Sequence, residues 1–142
     1  MMEELVRNVA AQVGADEETA RSAIGTLLAF VRDNAEEADA RALFEQVPEA
    51  AALAEEGAAQ AADAGGNGGG GLMGMLGGML GGSMGAAMSA LDRLQALGLD
   101  TGQIGTVGKA LFAHLKNEAD EELVRRILDD LAGKVPMLDR FL

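Results

Sequence analysis

The chain has no cysteine, no tryptophan and no tyrosine, and only one histidine and two prolines in 142 residues. Without cysteine there is no disulfide, no thiolate nucleophile and no thiolate-held zinc. Only four aromatic side chains are present, Phe30, Phe44, Phe112 and Phe141. A core must therefore be built from small side chains, helix packed closely on helix. Charge is also missing over one long stretch, since no ionisable residue occurs between Asp63 and Asp92. The opening MMEELVRNVAAQ lacks the basic, apolar and cleavage-site pattern of a signal peptide, so a cytoplasmic location is expected.

Elsewhere the chain is acidic, with a net charge of −12. Residues 1–63 carry 14 acids and 4 bases, and residues 92–142 carry 9 acids and 7 bases. Such a surface repels nucleic acid and anionic membrane, so no nucleic-acid partner is expected. The length fits about one domain.

Helical periodicity dominates. Glu3 to Val13 places Leu5, Val6, Val9 and Val13 on one face, and Gly14 ends that helix. Asp16 caps a second helix running to Asn34, with Glu17 and Glu18 in the first turn. A third spans about Asp39 to Val47. Pro48 breaks it and starts a fourth, reaching about Ala64. That fourth helix is mostly Ala and Glu with one large apolar residue, Leu53, and is expected to bury little and to fray or bridge solvent. Past the uncharged stretch, Gly98 ends a helix. Asp100 caps the next, with Gln103 at the capping-box position. Asp120 caps another, which carries Leu123, Val124, Ile127, Leu128 and Leu131. Gly133 stops it and Pro136 begins a short turn.

The two halves resemble one another. Val13-Gly14-Ala15-Asp16 matches Leu97-Gly98-Leu99-Asp100 at an offset of 84, which also carries Leu27 to Leu111 and Val31 to Leu115. Val47-Pro48 corresponds to Val135-Pro136 at an offset of 88. Internal duplication and two helical hairpins reusing the same caps both account for this.

The uncharged stretch divides into a glycine-rich linker, 65–71, and a segment of glycine, leucine and methionine that continues into the C-terminal part, 72–142. Small residues recur every four positions at Gly74, Gly78, Gly82 and Ala86, beside a second row at Gly77, Gly81 and Gly85. Leu72, Leu76, Leu80, Met84 and Met88 form a large apolar row at the same spacing. On a helix these rows become a groove beside a ridge, a surface on which two backbones approach closely. A buried central helix is the preferred reading. Association with a second copy and insertion into a membrane are the alternatives. The methionines read as core filler in preference to an adaptable binding surface or a soft-metal site.

No constellation specifies a reaction. His114 has Glu118 four residues on, but two ligands do not make a metal site, and a solvated, capping or packing histidine is the simpler reading. Adjacent acids such as Glu17-Glu18 and Glu121-Glu122 diverge on a helix and do not converge on one metal or proton. AGGNGGGG lacks the Lys-Ser/Thr of a phosphate loop. No cofactor and no metal are expected, and no enzymatic activity.

VGADEETARSAIGTLLAFV, then ALFEQVPEAAAL, then the Gly/Leu/Met tract, then LDRLQALGLDTGQIGTVGKALFAHL follow one another along the chain. This order resembles the bacterial VcgC/VcgE-type domain of unknown function, in which two helical parts are joined through a glycine-leucine stretch. The run from Leu97 to Gly105 and the Val47-Pro48 break are its most specific pieces. The chain departs from that pattern in its acidity, its methionines and its final Val-Pro turn. The resemblance implies the fold and no catalytic residue. The expected protein is an all-α bundle of six or seven helices around the Gly/Met helix, with an acidic N-terminal lobe over 1–64. Its expected role is a non-catalytic interaction or structural module that self-associates or binds a protein partner. A membrane-inserting protein and a carrier of an apolar ligand are the alternatives.

Overall fold

Helix boundaries in the computed structural model follow the punctuation of the sequence. The structure describes residues 2–65 and 90–134. Helix α1 spans Met2–Val13, α2 Glu17–Asn34, α3 Glu37–Gln46 and α4 Pro48–Gly65. Residues 90–96 are helical. Helix α5 spans Thr101–Glu118 and α6 Glu121–Lys134. Gly14 and Gly98 adopt φ values of 68° and 94°, a left-handed conformation that only glycine takes without strain. Asp16 accepts a hydrogen bond from the Thr19 N–H at 2.7 Å. Asp100 and Gln103 cap each other reciprocally, each bond 2.8 Å. The third helix starts two residues before the Asp39 expected from its pattern and ends one before Val47, a common uncertainty at helix ends.

The chain is an all-α bundle, and no strand occurs among the described residues. Its most enclosed described helix is α2, which packs against α1, α3, α4, α5 and α6. Ala20, Ala23, Ile24, Leu28 and Val31 are almost completely buried. One hydrophobic core takes in residues from both halves, from Leu5 through Leu43 to Leu111 and Leu131. The Gly/Met segment proposed as a central helix, the 65–71 linker beyond Gly65 and the turn after Pro136 lie outside the described residues.

The match between the halves extends to three dimensions. Helices α2 and α5 are each 18 residues long, and their caps fall 84 positions apart. The same offset carries buried Leu28 to buried Phe112, Leu43 to Ile127, and Val47 to Leu131. Helix α6 has 14 residues where α3 has 10, one extra turn, so an offset of 84 becomes 88 at the C-terminal ends. Helices α3 and α6 lie antiparallel and cap one another. The Asp120 N–H donates to Gln46 Oε1 at 2.7 Å, and the Glu36 N–H donates to Asp130 Oδ2 at 3.1 Å. Residues 36 and 46 are the offset partners of 120 and 130. The pair of contacts is therefore reciprocal, as across a two-fold axis between like units.

The fraying expected of α4 is not observed. This helix lies along α2, with Ala50, Leu53, Ala54 and Gly57 buried. It needs no large side chains because the two backbones meet directly. A Cβ on Gly25 would sit 2.7 Å from the Leu53 carbonyl oxygen, and one on Gly57 would overlap the Gly25 carbonyl. Alanine and glycine thus hold α4 by close backbone approach, a mode that a count of large apolar residues does not register.

Glycine in a helix interior ordinarily costs about 1 kcal/mol relative to alanine. At the crossing that sign reverses. Gly57→Ala is expected to destabilise by about 1–3 kcal/mol in urea unfolding, because its methyl meets backbone that cannot step aside. Gly133→Ala, with open space around it, should be neutral or mildly stabilising. An unchanged midpoint for Gly57→Ala would show that the two helices are not in backbone contact.

Candidate interaction site

The crossing of α2 and α4 gathers the described polar chemistry that lies nearest the uncharged stretch. Arg21 on α2 grips Glu56 on α4 with both ends of its fork, Nε to Oε2 at 2.9 Å and Nη2 to Oε1 at 3.0 Å. The bidentate bond holds Glu56 below the usual carboxylate range and raises Arg21 further above its own. Both side chains are about half exposed, so the pair orients α4 more than it stabilises the fold. One residue along, Arg93 Nη1 from the helical stretch 90–96 donates to the Gly57 carbonyl at 3.2 Å. Gly57 therefore meets Gly25 on one side and a guanidinium on another.

A cleft of about 490 Å³ opens beside this crossing, between α1, α2 and α4. Val6 and Leu53 form its buried floor, and Glu3, Arg7, Glu17, Glu18, Arg21 and Glu49 ring its mouth. Arg7 lies 3.5 Å from Glu17, and Arg21 is held by Glu56, so both cations of the ring already have partners. Between the other helices, polar side chains serve as caps and ties. Gln103 Nε2 donates to the Val13 carbonyl at 2.7 Å, closing the end of α1. Arg126 Nη2 donates to Asp39 Oδ1 at 3.1 Å, tying α6 to α3.

Gly74, Gly78, Gly82, Ala86, Gly77, Gly81 and Gly85, and the apolar row Leu72, Leu76, Leu80, Met84 and Met88, lie outside the described residues. Gly25 and Gly57, which do form a small-residue contact, did not stand out in the sequence reading. Their signal was available, since each is a lone glycine inside an otherwise helical pattern and such a glycine usually has a packing reason. His114 is partly buried, with Nε2 3.7 Å from Glu118 Oε1 and without a hydrogen-bond partner among the described residues. Its offset partner Phe30 is buried in the core. No group of three or more His, Asp or Glu side chains able to hold a metal occurs among the described residues. No described helix is long and apolar enough to cross a membrane.

The fold and the crossing define an acidic helical bundle of two matching halves, with small-residue packing where α4 joins the first half. The chain belongs to the family described as protein of unknown function VcgC/VcgE (DUF2780), whose sequence profile matches residues 1–132. No curated protein and no solved structure gives a significant match.

Burial is the largest of the effects that push His114 below its ordinary value of 6.5, while Glu118, Glu4 and Glu49 pull the other way. The folded state thus takes up this proton less readily than the unfolded chain does. The histidine's contribution to stability is complete above about pH 6.5 and declines as pH falls toward the lowered folded value. Urea midpoints are expected to drop between about pH 7.5 and pH 5.5, and His114→Gln should remove most of that drop. An equal drop in the variant would assign it to other groups.

Proposed function

We propose that this protein is a non-catalytic helical scaffold that assembles with a second copy of itself through its small-residue rows. The observation that carries the reading is the contact of Gly25 with Gly57, where glycine is used to bring two helix backbones together. The rows Gly74, Gly78, Gly82, Ala86 and Gly77, Gly81, Gly85 repeat that chemistry over a longer span, with no charge to oppose dry packing. The polar contacts between described helices support a structural role as well, because they are caps and ion pairs that fix helix positions.

The test is the mass of the protein in solution. Sedimentation velocity of the wild type should show a dimer or higher species whose population is insensitive to salt, as expected for apolar packing. If the rows pack as their spacing implies, Gly78→Leu and Gly82→Leu each put a branched side chain where a glycine is needed and should shift the protein to monomer while far-ultraviolet circular dichroism stays helical. A wild type that sediments as a monomer at all concentrations would refute self-assembly.

A further inference from the structure

The two halves match except in what covers their long helices. On α2, Gly25 is buried beneath α4, and Ala29, one turn further on, is buried as well. The offset of 84 carries these positions to Lys109 and Ala113 of α5, and both are exposed. Lys116, three residues beyond, is exposed too. The stripe that receives an alanine- and glutamate-rich helix in the first half is therefore open in the second.

Its charge also sets it apart. The run Thr101 to Asn117 holds Lys109 and Lys116 and no acid, in a chain of net charge −12. Helix α5 is the described helix with more bases than acids. Neither lysine makes an ion pair among the described residues. Helix α4 is the opposite, carrying Glu49, Glu55, Glu56 and Asp63 and no base. Its inner side lies on α2, while Glu49, Ala52, Glu55 and Glu56 are exposed.

The spacing of the two surfaces agrees. Glu49, Ala52 and Glu56 follow one another at intervals of three and four residues. Read from the other end, Lys116, Ala113 and Lys109 follow at the same intervals. Residues three and four apart are neighbours on a helix, so each set is a stripe of two turns, roughly 10 Å long. Laid antiparallel, the stripes set Glu49 against Lys116, Ala52 against Ala113, and Glu56 against Lys109. The alanines at the centre let the helix axes approach, and the lysine stems lie along the surface as their heads reach the carboxylates. The fork of Arg21 does not exhaust Glu56, since a carboxylate has about four acceptor positions. Two chains of this net charge repel at a distance, so a contact between copies needs opposite charges aligned locally, and these two faces supply them.

We propose that the α5 face of Lys109, Ala113 and Lys116 is a docking surface for the outer face of α4 in a second copy of this chain, in antiparallel register. It adds a contact to the self-assembly read above and does not use the glycine rows. The chain has no cysteine, so single introduced cysteines report this contact alone. Facing alanines at the centre of a helix pair are close enough for a disulfide. Ala52→Cys and Ala113→Cys, both at exposed positions, are made separately in the full chain, mixed in equal amounts and oxidised. The mixed disulfide dimer should exceed the half share of all dimers that random collision gives. Lys109→Glu with Lys116→Glu, added to the Ala113→Cys chain, should return it to that share. Lys109→Gln with Lys116→Gln, which adds no acid to the surface, should also lower it while circular dichroism stays helical. In the Gly78→Leu background the mixed disulfide should persist, which separates this contact from the glycine rows. If the mixed dimer stays at the random share, forms equally well with the lysines reversed, or vanishes with Gly78→Leu, α5 does not receive α4 and the proposal fails, whatever sedimentation shows for the glycine rows.

Discussion

Everything on the N-terminal side of the bundle depends on two backbones touching at Gly25 and Gly57. Helix α4 has one large apolar residue, and the area it can bury through side chains is small. What holds it is proximity: the carbonyls of Gly25 and Leu53 lie where side chains would otherwise stand. At that separation main-chain atoms of Leu53 and Gly57 on one helix come against those of Gly25 and Thr26 on the other. Weak attractions, individually about 0.1–0.2 kcal/mol per atom pair, then act over many pairs. The arrangement tolerates almost no substitution, because backbone cannot repack as a side chain can. It also sets the position of Glu56 for Arg21 and of the Gly57 carbonyl for Arg93.

The second constraint is the reciprocal capping of α3 and α6. A helix start leaves N–H groups without partners. Here each of the two starts borrows an acceptor from the far end of the opposite helix, Asp130 for Glu36 and Gln46 for Asp120. The contact closes the two halves on one another and gives the bundle a common core. Symmetry is then broken where α4 covers α2. Gly25 lies under α4, whereas its offset partner Lys109 is exposed to solvent. The break extends to Val9 and Arg93, where a core valine in one half stands opposite a charge in the other.

Much of this could be read in the sequence, for local reasons. Gly14, Asp16, Gly98, Asp100 and Gln103 act through their immediate neighbours, so their roles follow from spacing alone. The 84-residue offset was legible because caps and large apolar residues recur together. What escaped was whatever depends on a partner distant along the chain. The worth of Gly57 lies in Gly25, and the worth of Ala50 and Ala54 lies in the closeness that this glycine pair permits. Composition therefore assigned α4 to solvent when it belongs to the core. The reciprocal caps escaped for the same reason, since Gln46 and Asp130 look like ordinary surface residues until α3 and α6 are laid side by side. For the candidate site, spacing alone draws attention to rows of glycine within one segment and not to the single glycines Gly25 and Gly57, which lie 32 residues apart.

Arg93 shows how the matching halves and the acidic composition bear on each other. The chain is rich in carboxylates, and arginines on its surface find one within reach almost automatically. Arg93 is partly buried and, among the described residues, its hydrogen bond goes to the Gly57 carbonyl instead. A single backbone carbonyl replaces part of the hydration that a partly buried guanidinium gives up, whereas Val9, fully buried at the matching position, gains from leaving water altogether.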